Sequence, residues 1–294
     1  MTNSSIFEPF ASKRLRIALL LIAAFWVWYP VTTMMQESIG IDLGPLYSGR
    51  GTSFVGKFFQ GSGGLKPNYI NYVRAFTINA FPKLVFNSTL IAMTSIIAAL
   101  LVGIPAAFSF VVHKYPGKRL FVYSLLVFRT ISPFAVLVPF FILYGRLGLF
   151  DTYGGMSIVY LLINLPAVVL LMRGFFKDLP KETYEAASLS GASDFDILRR
   201  VALPLVIPGM IAVVIFTFVG TWNEYIYALT LTGGATKTVS RGVWAGFGES
   251  IEGFKALEFD ELNAAGTLAL IPAVILIILM RKYLARGWSL GTVK

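Results

Sequence analysis

The stretch EAASLSG, residues 185–191, interrupts a chain that is otherwise strongly apolar. Pro180 suits the first turn of a helix, and Gly191 suits a left-handed residue just after the end of one. The residues between them are mostly compatible with helix. The sequence therefore predicts one short helix in this polar insert.

A second helix is predicted immediately after the first. Ser193 precedes Asp196 by three residues, an arrangement close to a capping box. Apolar residues then recur until Pro204, which we expect to end the second helix, set at an angle to the first. Two helices of roughly two or three turns cannot bury a core of their own, so they need a surface on which to dock.

Composition places the chain in a membrane. It has 294 residues, of which 56% are hydrophobic and 14% charged, and its mean hydropathy is +0.72. It has no cysteine and one histidine, His113, so thiol chemistry, cysteine metal sites and histidine acid–base catalysis lose their usual residues. No catalytic residue and no metal ligand is predicted.

The net charge of +10 indicates membrane topology, and no nucleic-acid partner is needed to explain it, because most basic residues flank apolar runs. Apolar runs of about 20 residues cross a bilayer as helices. The expected fold is an all-α integral membrane protein with six transmembrane helices and both termini cytoplasmic. The predicted spans lie near residues 16–35, 84–112, 120–144, 156–175, 205–231 and 264–284.

This topology predicts the domain organisation. Residues 1–15 form a cytoplasmic N-terminus, 16–35 the first span and 36–83 an outer loop. Residues 84–294 form a core with the other five spans. Within that core we expect a cytoplasmic insert at 180–204, an outer loop at 232–262 and a cytoplasmic tail at 285–294.

The insert has the composition of a docking surface. Ala186, Ala187 and Gly191 leave little bulk on one face, so that another backbone can approach. Tyr184, Leu189 and Phe195 can act as knobs, and Glu185 offers a negative charge to a basic partner. The alternative is that the insert packs only on its own helical bundle.

The spacing of the insert resembles the EAA motif in the membrane subunits of binding-protein-dependent ABC importers. The matching residues are Glu185, Ala186, Ala187, Gly191, Val201, Leu203 and Pro204. From about residue 69 onward the chain is similar to the maltose-type, carbohydrate-importing branch, and within it to the shorter membrane subunit. Ser190 and Val201 depart from the residues most usual in that family, and residues 36–68 resemble nothing identified.

The resemblance implies a type I ABC importer permease in a prokaryotic cytoplasmic (inner) membrane. It implies a second permease subunit, two copies of a cytoplasmic ABC ATPase, an extracytoplasmic solute-binding protein and a carbohydrate substrate, within membrane lipid. The ATPase-coupling contact would involve Tyr184, Glu185, Ala186, Ala187, Gly191, Phe195, Leu203 and Pro204. The chain lacks the phosphate-loop pattern, so we expect no cofactor in it, with ATP and magnesium bound by the partner ATPase.

Polar residues in the predicted spans are candidates for the translocation pathway. They are Asn87, Ser88, Arg129, Asn164, Trp222, Asn223, Glu224, Tyr225 and Tyr227. Such residues can contact a passing sugar, but they can equally join helices by hydrogen bonds. Glu224 is one potential partner for Arg129. The resemblance implies that the outer loop 232–262 contacts a binding protein, with Gly233, Gly234 and Gly246 as candidates for that contact. The alternative is a loop that packs on the surface or re-enters the membrane.

Other functional classes fit less well. A self-contained secondary transporter predicts an internal repeat and a mid-membrane carboxylate; no repeat is visible, and the spans contain few acids beyond Glu224. A membrane enzyme needs clustered reactive side chains, which the spans do not offer. An ABC permease for a non-sugar solute is the nearest rival.

Overall fold

The computed structural model describes residues 13–38, 70–77, 81–245 and 259–289, and every regular element in these ranges is a helix. This confirms the all-α prediction for the described residues. They fall into two compact units, one containing 13–38, 70–77 and 259–268, and the other containing 81–245 and 269–289.

In chain order the described helices are α1 (Lys13–Ser38), α2 (Ile70–Thr77), α3 (Phe81–Val112), α4 (Lys118–Thr130), α5 (Pro133–Leu147), α6 (Tyr153–Lys177), α7 (Lys181–Leu189), α8 (Asp194–Trp222), α9 (Ile226–Leu231), α10 (Val239–Ala245) and α11 (Phe259–Ser289). In the first unit, the Asn71 amide donates to the Ser38 carbonyl at 3.1 Å. The hydroxyls of Ser38 and Tyr72 lie 2.5 Å apart. These contacts join α2 to the C-terminal end of α1, where helix carbonyls lack intrahelical partners.

Among the described residues, α3, α6, α8 and the segment Leu262–Leu279 of α11 are long and apolar enough to cross a membrane. The pair α4 and α5 counts as a fifth span if its two helices cross together. By length and composition the described helices therefore provide four or five spans, where the sequence predicts six. The first predicted span, 16–35, lies within α1.

The third predicted span, 120–144, is bent by 91° between α4 and α5. Ile131 and Ser132 have extended backbone at the break, with ψ values of 124° and 133°. Pro133 explains the break, because its ring disfavours helical backbone in the preceding residue. Pro133 then begins α5, where a missing backbone N–H has no cost.

The expectation that Pro204 ends the second insert helix is wrong. That helix begins at Asp194, passes through a π-helical turn at Ile197–Ala202 and continues to Trp222 as α8. Pro204 lies in the first turn of the α-helical segment that follows the π turn. There the absence of a proline N–H is tolerated.

The fifth predicted span, 205–231, is also interrupted. Helix α8 ends at Trp222, and α9 begins only at Ile226. The Glu224 carboxylate accepts hydrogen bonds from the backbone N–H groups of Tyr227 and Ala228 at 3.0 and 3.2 Å. It thereby satisfies the otherwise unpaired donors at the start of α9.

Helices α3 and α6 run parallel. Asn87, near the start of α3, contacts Tyr153 at the start of α6, and Phe108, near the end of α3, contacts Phe176 at the end of α6. We call the end of the second unit that contains α7 the insert end, and the end that contains residues 232–245 the loop end. A buried apolar cluster at the insert end includes Phe108, Met172, Phe176, Tyr184 and Leu198. A second cluster at the loop end includes Ile91, Tyr144, Met156, Tyr160 and Leu231.

Candidate functional site

The insert folds as two capped helices, as its sequence predicts. Helix α7 ends at Leu189, and Gly191 follows with φ +82°. This left-handed residue lets the Ala192 N–H reach back to the Ala187 carbonyl at 3.2 Å. The Ser193 hydroxyl accepts from the Asp196 N–H at 3.2 Å and donates to the Asp196 carboxylate at 2.6 Å.

Tyr184 attaches the insert to the bundle. Its side chain is buried, its ring meets Phe108 edge-on at 6.0 Å, and its hydroxyl donates to the Phe176 carbonyl at 2.8 Å. Burial raises the pKa of the Tyr184 hydroxyl to about 12. Tyr184 therefore faces its own bundle in this chain and is not an outward knob. Its predicted part in the ATPase-coupling contact stays a prediction.

The outward surface of the insert combines small, acidic and apolar residues. Leu189 and Phe195 expose 89% and 67% of their area, although both are large apolar side chains. Glu185, Ala186 and Gly191 are exposed beside them, whereas Ala187 is half-buried against the core. Near the π turn, Leu203 is half-buried and Pro204 is exposed. We call Glu185, Ala186, Leu189, Gly191 and Phe195 the insert surface.

A polar contact joins the insert to the end of α3. His113 Nε2 lies 3.4 Å from Asp194 Oδ2, an ion pair when the imidazole is protonated. Asp196 and Arg200 lie 3.4 Å apart, four residues apart along the chain. Both pairs are largely exposed, and exposed pairs contribute only about 0–1 kcal/mol each. Apolar packing therefore dominates the attachment of the insert.

At the loop end, two of the predicted pathway residues bind the segment between α9 and α10. Asn87 is 1% exposed and donates to the carbonyls of Ala235 and Lys237 at 3.0 and 2.9 Å. Its carbonyl oxygen accepts from the Tyr153 hydroxyl at 2.8 Å. The Ser88 hydroxyl accepts from the Val239 N–H at 2.8 Å. These bonds favour the helix-joining role for Asn87 and Ser88.

Glu224 is the centre of a second polar group. Besides the two N–H groups of α9, its carboxylate accepts from the Tyr160 hydroxyl at 2.9 Å. Its backbone carbonyl accepts from the Ser240 hydroxyl at 2.6 Å. Tyr227 on α9 is buried, and its ring meets Phe140 of α5 edge-on at 6.1 Å. The carboxylate thus caps α9 and joins it to α6.

Arg129 does not pair with Glu224. Its side chain is exposed, and the guanidinium carbon lies 5.4 Å from the centroid of the Phe216 ring on α8. This distance is within the range of cation–π attraction. Arg129 therefore joins α4 to α8 at the bent pair, and the predicted ion pair is absent.

The remaining pathway candidates differ in how far their side chains are exposed. Asn164 donates to the Thr221 hydroxyl at 2.8 Å, and Trp222 Nε1 donates to the Ala269 carbonyl at 3.0 Å. Asn164 and Trp222 are both buried, whereas Tyr225 is half-buried. Asn223 is exposed and bonds only to its own helix, at the Val219 carbonyl. Arg129 and Asn223 are thus the pathway candidates with exposed side chains, and Glu224 is half-buried like Tyr225.

The loop end also contains a residue that the sequence analysis did not select. Asp151 lies between α5 and α6 with φ +53°. Its carboxylate accepts from the N–H groups of Gly233, Ala235 and Thr236 and from the Thr236 hydroxyl, at 2.7 to 3.0 Å. The turn-forming residues around Asp151 predict only a local turn. Its partners more than 80 residues away leave no local signal.

Arg241 supports the same segment from α10. Its Nη1 donates to the carbonyl and the hydroxyl of Thr232, and lies 3.4 Å from the Ala228 carbonyl. Gly233 is half-buried against Asp151, whereas Gly234 is exposed. Gly246 lies outside the described residues. Among the described residues, no group of three histidine, aspartate or glutamate side chains is arranged to hold a metal ion.

Comparison with known proteins identifies the family. Residues 95–290 match the family described as binding-protein-dependent transport system inner membrane component. A probable ABC transporter permease protein of Sinorhizobium fredii is 31% identical over 232 residues, which cover 78% of this chain and 80% of that protein.

Two further relatives are named for carbohydrates. A diacetylchitobiose uptake system permease protein of Streptomyces coelicolor is 30% identical over 76% of this chain and 73% of its own length. A trehalose transport system permease protein of Mycobacterium tuberculosis is 28% identical over 76% of this chain and 81% of its own length.

The fold is similar to that of a solved bacterial ABC transporter involved in the import of the acidic polysaccharide alginate. The TM-score is 0.70 at 23% identity, and the match covers 94% of this chain and 99% of the other. An alginate transporter solved with a periplasmic protein bound to an alginate pentasaccharide matches with a TM-score of 0.63 at 14% identity. The family match, the relatives and the apolar helices agree: the chain belongs to the inner membrane components of binding-protein-dependent transport systems, as a multi-pass transport subunit.

Proposed function

We propose that the chain is the permease subunit of an ATP-driven ABC importer for a sugar, oligosaccharide or glycoside. Closure of a cytoplasmic ATPase dimer moves the insert, and the bundle then alternates between outward and inward access. The observation that carries this proposal is the insert surface, an exposed apolar and acidic patch on two capped helices. Such an exposed patch indicates a docking partner.

The path of transmission follows from the contacts of the insert. Tyr184 couples α7 to α6 and α3 through Phe176 and Phe108. The second insert helix is the N-terminal part of α8, which runs as one helix from Asp194 to Trp222. A displacement at the insert surface therefore acts directly on three of the apolar helices.

Charge supports the orientation of the bundle. Lys114, Lys118, Arg119, Lys177 and Lys181 all lie at the insert end, next to apolar helices. Clusters of basic residues mark the cytoplasmic side of membrane proteins. We therefore propose that the insert and both termini lie in the cytoplasm and that the chain forms six spans.

A second permease subunit would cover the bent pair. Large apolar side chains are exposed along α4 and α5, among them Leu120, Phe121, Phe128, Phe134 and Val138. Lipid covers such surfaces as well as protein does, but the side chains of Arg129 and Asn223 are exposed on the described helices of this chain and are not enclosed by them. We propose that the pathway forms between this chain and the second permease.

The other subunits of the assembly perform the steps that this chain does not. Two ATPase subunits bind ATP and magnesium and catalyse hydrolysis, and an extracytoplasmic binding protein delivers the solute. The carbohydrate class rests on the diacetylchitobiose and trehalose permeases among the relatives. This chain itself performs no catalytic step.

Affinity purification in mild detergent, followed by reconstitution in liposomes, tests the proposal. We expect an ATPase and a second multispanning protein to co-purify, and uptake of diacetylchitobiose, trehalose or an α-glucoside to require ATP and the binding protein. Glu185→Lys should release the ATPase while the second permease stays bound. Asp178→Lys, which changes an exposed carboxylate just before the insert, is the matched control and should keep the ATPase.

Two results would contradict the proposal. If the chain purifies alone and moves solute without ATP, the importer assignment is wrong. If Glu185→Lys and Asp178→Lys both keep the ATPase and wild-type transport, the insert surface is not the docking site.

A further inference from the structure

We propose that Asp151 is a positioning residue for docking of the binding protein. Its carboxylate holds residues 232–238 in one shape and connects them to the turn between α5 and α6. This inference rests on the proposed function, because it assigns the segment as the contact for an extracytoplasmic solute-binding protein. We call residues 232–238 with Asp151 the latched loop.

The geometry of the carboxylate is the first observation. Oδ1 accepts from the Gly233 N–H at 2.7 Å, the Thr236 N–H at 2.9 Å and the Thr236 hydroxyl at 2.7 Å. Oδ2 accepts from the Ala235 N–H at 3.0 Å. The Asp151 backbone N–H donates to the Leu231 carbonyl at 3.0 Å. Five hydrogen bonds thus join one residue to a single short segment.

The backbone at Asp151 is the second observation. Within the described residues it is the one non-glycine residue with positive φ. This conformation is uncommon for non-glycine residues, although aspartate and asparagine adopt it more readily than most. It allows the turn between α5 and α6 to direct the carboxylate at the loop.

Carbonyl groups of the loop backbone accept hydrogen bonds from a side chain on α3. Asn87 donates to the carbonyls of Ala235 and Lys237, while Asp151 binds the N–H groups. Residues 232–238 contain no regular helix, so their backbone groups depend on these side chains. The shape of the loop is therefore set by α3 and by the α5–α6 turn.

The outward face of the latched loop remains available. Gly234 and Ala235 are exposed, while Thr236 and Lys237 are buried behind them. A protein that contacts this face pushes on backbone bonded directly to Asp151. The force reaches α5, which follows the 91° bend, and α6, which leads to the insert. The latch therefore connects docking at the loop end to the helices that carry the insert.

Two substitutions separate the carboxylate from the backbone conformation. Asp151→Gly and Asp151→Asn both tolerate φ +53°, but the first removes every side-chain bond and the second removes the charge. Thr236→Val removes only the hydroxyl bond and serves as a milder variant. Arg146→Gln, on the exposed last turn of α5, removes a nearby charge that makes no contact with the loop and is the control.

The first readout is independent of transport. The chain contains no cysteine, so Gly234→Cys gives one labelling site on the exposed face. In the reconstituted complex we expect the anisotropy of a fluorescent label there to fall in Asp151→Gly, to fall less in Thr236→Val, and to stay unchanged in Arg146→Gln. Unchanged anisotropy in Asp151→Gly shows that the loop keeps its shape without the carboxylate, and overturns the proposal.

The second readout compares basal ATPase activity with ATPase activity stimulated by the binding protein used in the uptake assay. That binding protein is loaded with whichever of diacetylchitobiose, trehalose or the α-glucoside the complex transports. Because hydrogen bonds to a charged group are stronger than neutral ones, we expect Asp151→Gly to require about tenfold more binding protein for half-maximal stimulation. Basal activity and subunit composition should be unchanged. A purely structural role would lower both activities together.

The outcomes distinguish the latch from the proposed function. If the wild-type complex binds ATPase subunits but no binding protein stimulates it, the importer assignment fails and the latch proposal fails with it. If the wild type is stimulated and Asp151→Gly responds at the same concentration of binding protein, the latch proposal alone is overturned.

Discussion

The two ends of the second unit are stabilised by different forces. At the insert end, Tyr184, Phe108 and Phe176 pack in a buried apolar cluster, with the Tyr184 hydroxyl bond and exposed ion pairs beside it. At the loop end, Asp151 and Asn87 form a network of hydrogen bonds to a segment without regular structure. Apolar packing has no directional requirement, whereas hydrogen bonds fix distance and angle. We therefore expect the backbone geometry of the loop end to be the more narrowly specified of the two.

Truncation of Tyr184 tests the apolar side of this comparison and has the largest expected effect. Tyr184→Ala should destabilise the insert by about 3–5 kcal/mol, because it leaves a cavity in a packed aromatic cluster. Tyr184→Phe loses only the hydroxyl bond to Phe176 and should cost about 0.5–1.5 kcal/mol. Hydrogen exchange of α7 measures both. Equal exchange in the two variants would show that the hydroxyl, and not packing, attaches the insert.

Removal of Asn87 tests the polar side. Asn87→Ala removes the side-chain donor to the carbonyls of Ala235 and Lys237, and leaves the buried Lys237 carbonyl unsatisfied at a cost of about 1–3 kcal/mol. We expect faster hydrogen exchange in residues 232–245 and unchanged exchange in α7. Asn223→Ala is the matched control, since that amide is exposed and bonds only within its own helix. Similar effects of the two variants would contradict the network.

The end of α7 offers a sharper test of backbone conformation. Gly191 has φ +82° and nothing within 4 Å of an added Cβ, so strain and not collision decides the cost of a substitution. Gly191→Val should destabilise α7 by about 1–2 kcal/mol, while Gly191→Asn should cost less because asparagine adopts left-handed backbone. Thermal unfolding in detergent compares them. If both variants keep the fold but lose the ATPase, Gly191 acts by contact.

The adjacent glycines of the latched loop separate close contact from open space. A Cβ at Gly233 would lie 2.7 Å from Asp151 Oδ2, whereas a Cβ at Gly234 would meet nothing within 4 Å. Gly233→Ala should therefore weaken the latch by about 1 kcal/mol or more, and Gly234→Ala should have a smaller effect on it. Hydrogen exchange of the Thr236 amide provides the measurement. A larger effect at Gly234 would contradict the described contact.

The pH dependence of the loop has the smallest expected effect. Burial acts to raise the pKa of Asp151, but bonds from Thr236, Ala235 and Gly233 outweigh it and lower the pKa below its ordinary value. A carboxylate with a lowered pKa stabilises the folded form above its unfolded pKa, and this contribution is lost as pH falls through the folded value. The label at Gly234→Cys should therefore remain immobile from pH 7 to about 4 and loosen below. Asp151→Asn should remove this dependence.

Local signals explain what the sequence predicted at the insert. Pro180, Gly191, Ser193 and Asp196 each affect the backbone within a few residues of their own position. The starts of both insert helices and the end of the first can therefore be predicted from the sequence. The helix end predicted at Pro204 is wrong, because the effect of this proline on the helix depends on the π turn just before it. The sequence marks Asn87, Ser88 and Glu224 as polar residues in apolar surroundings. Their pathway role stays a prediction, and spacing does not predict the partners that they bind at the loop end.

The sequence by itself determined an all-helical membrane chain, the family to which it belongs and the position of its insert, since hydropathy, caps and motif spacing are local properties. Only the tertiary structure decided that Tyr184 faces inward, that Arg129 lies over Phe216 instead of pairing with Glu224, and that Asp151 binds residues 233–236. These contacts join residues on different helices or across a turn. Which side chains meet there depends on how the helices pack, and no periodicity in the chain encodes it.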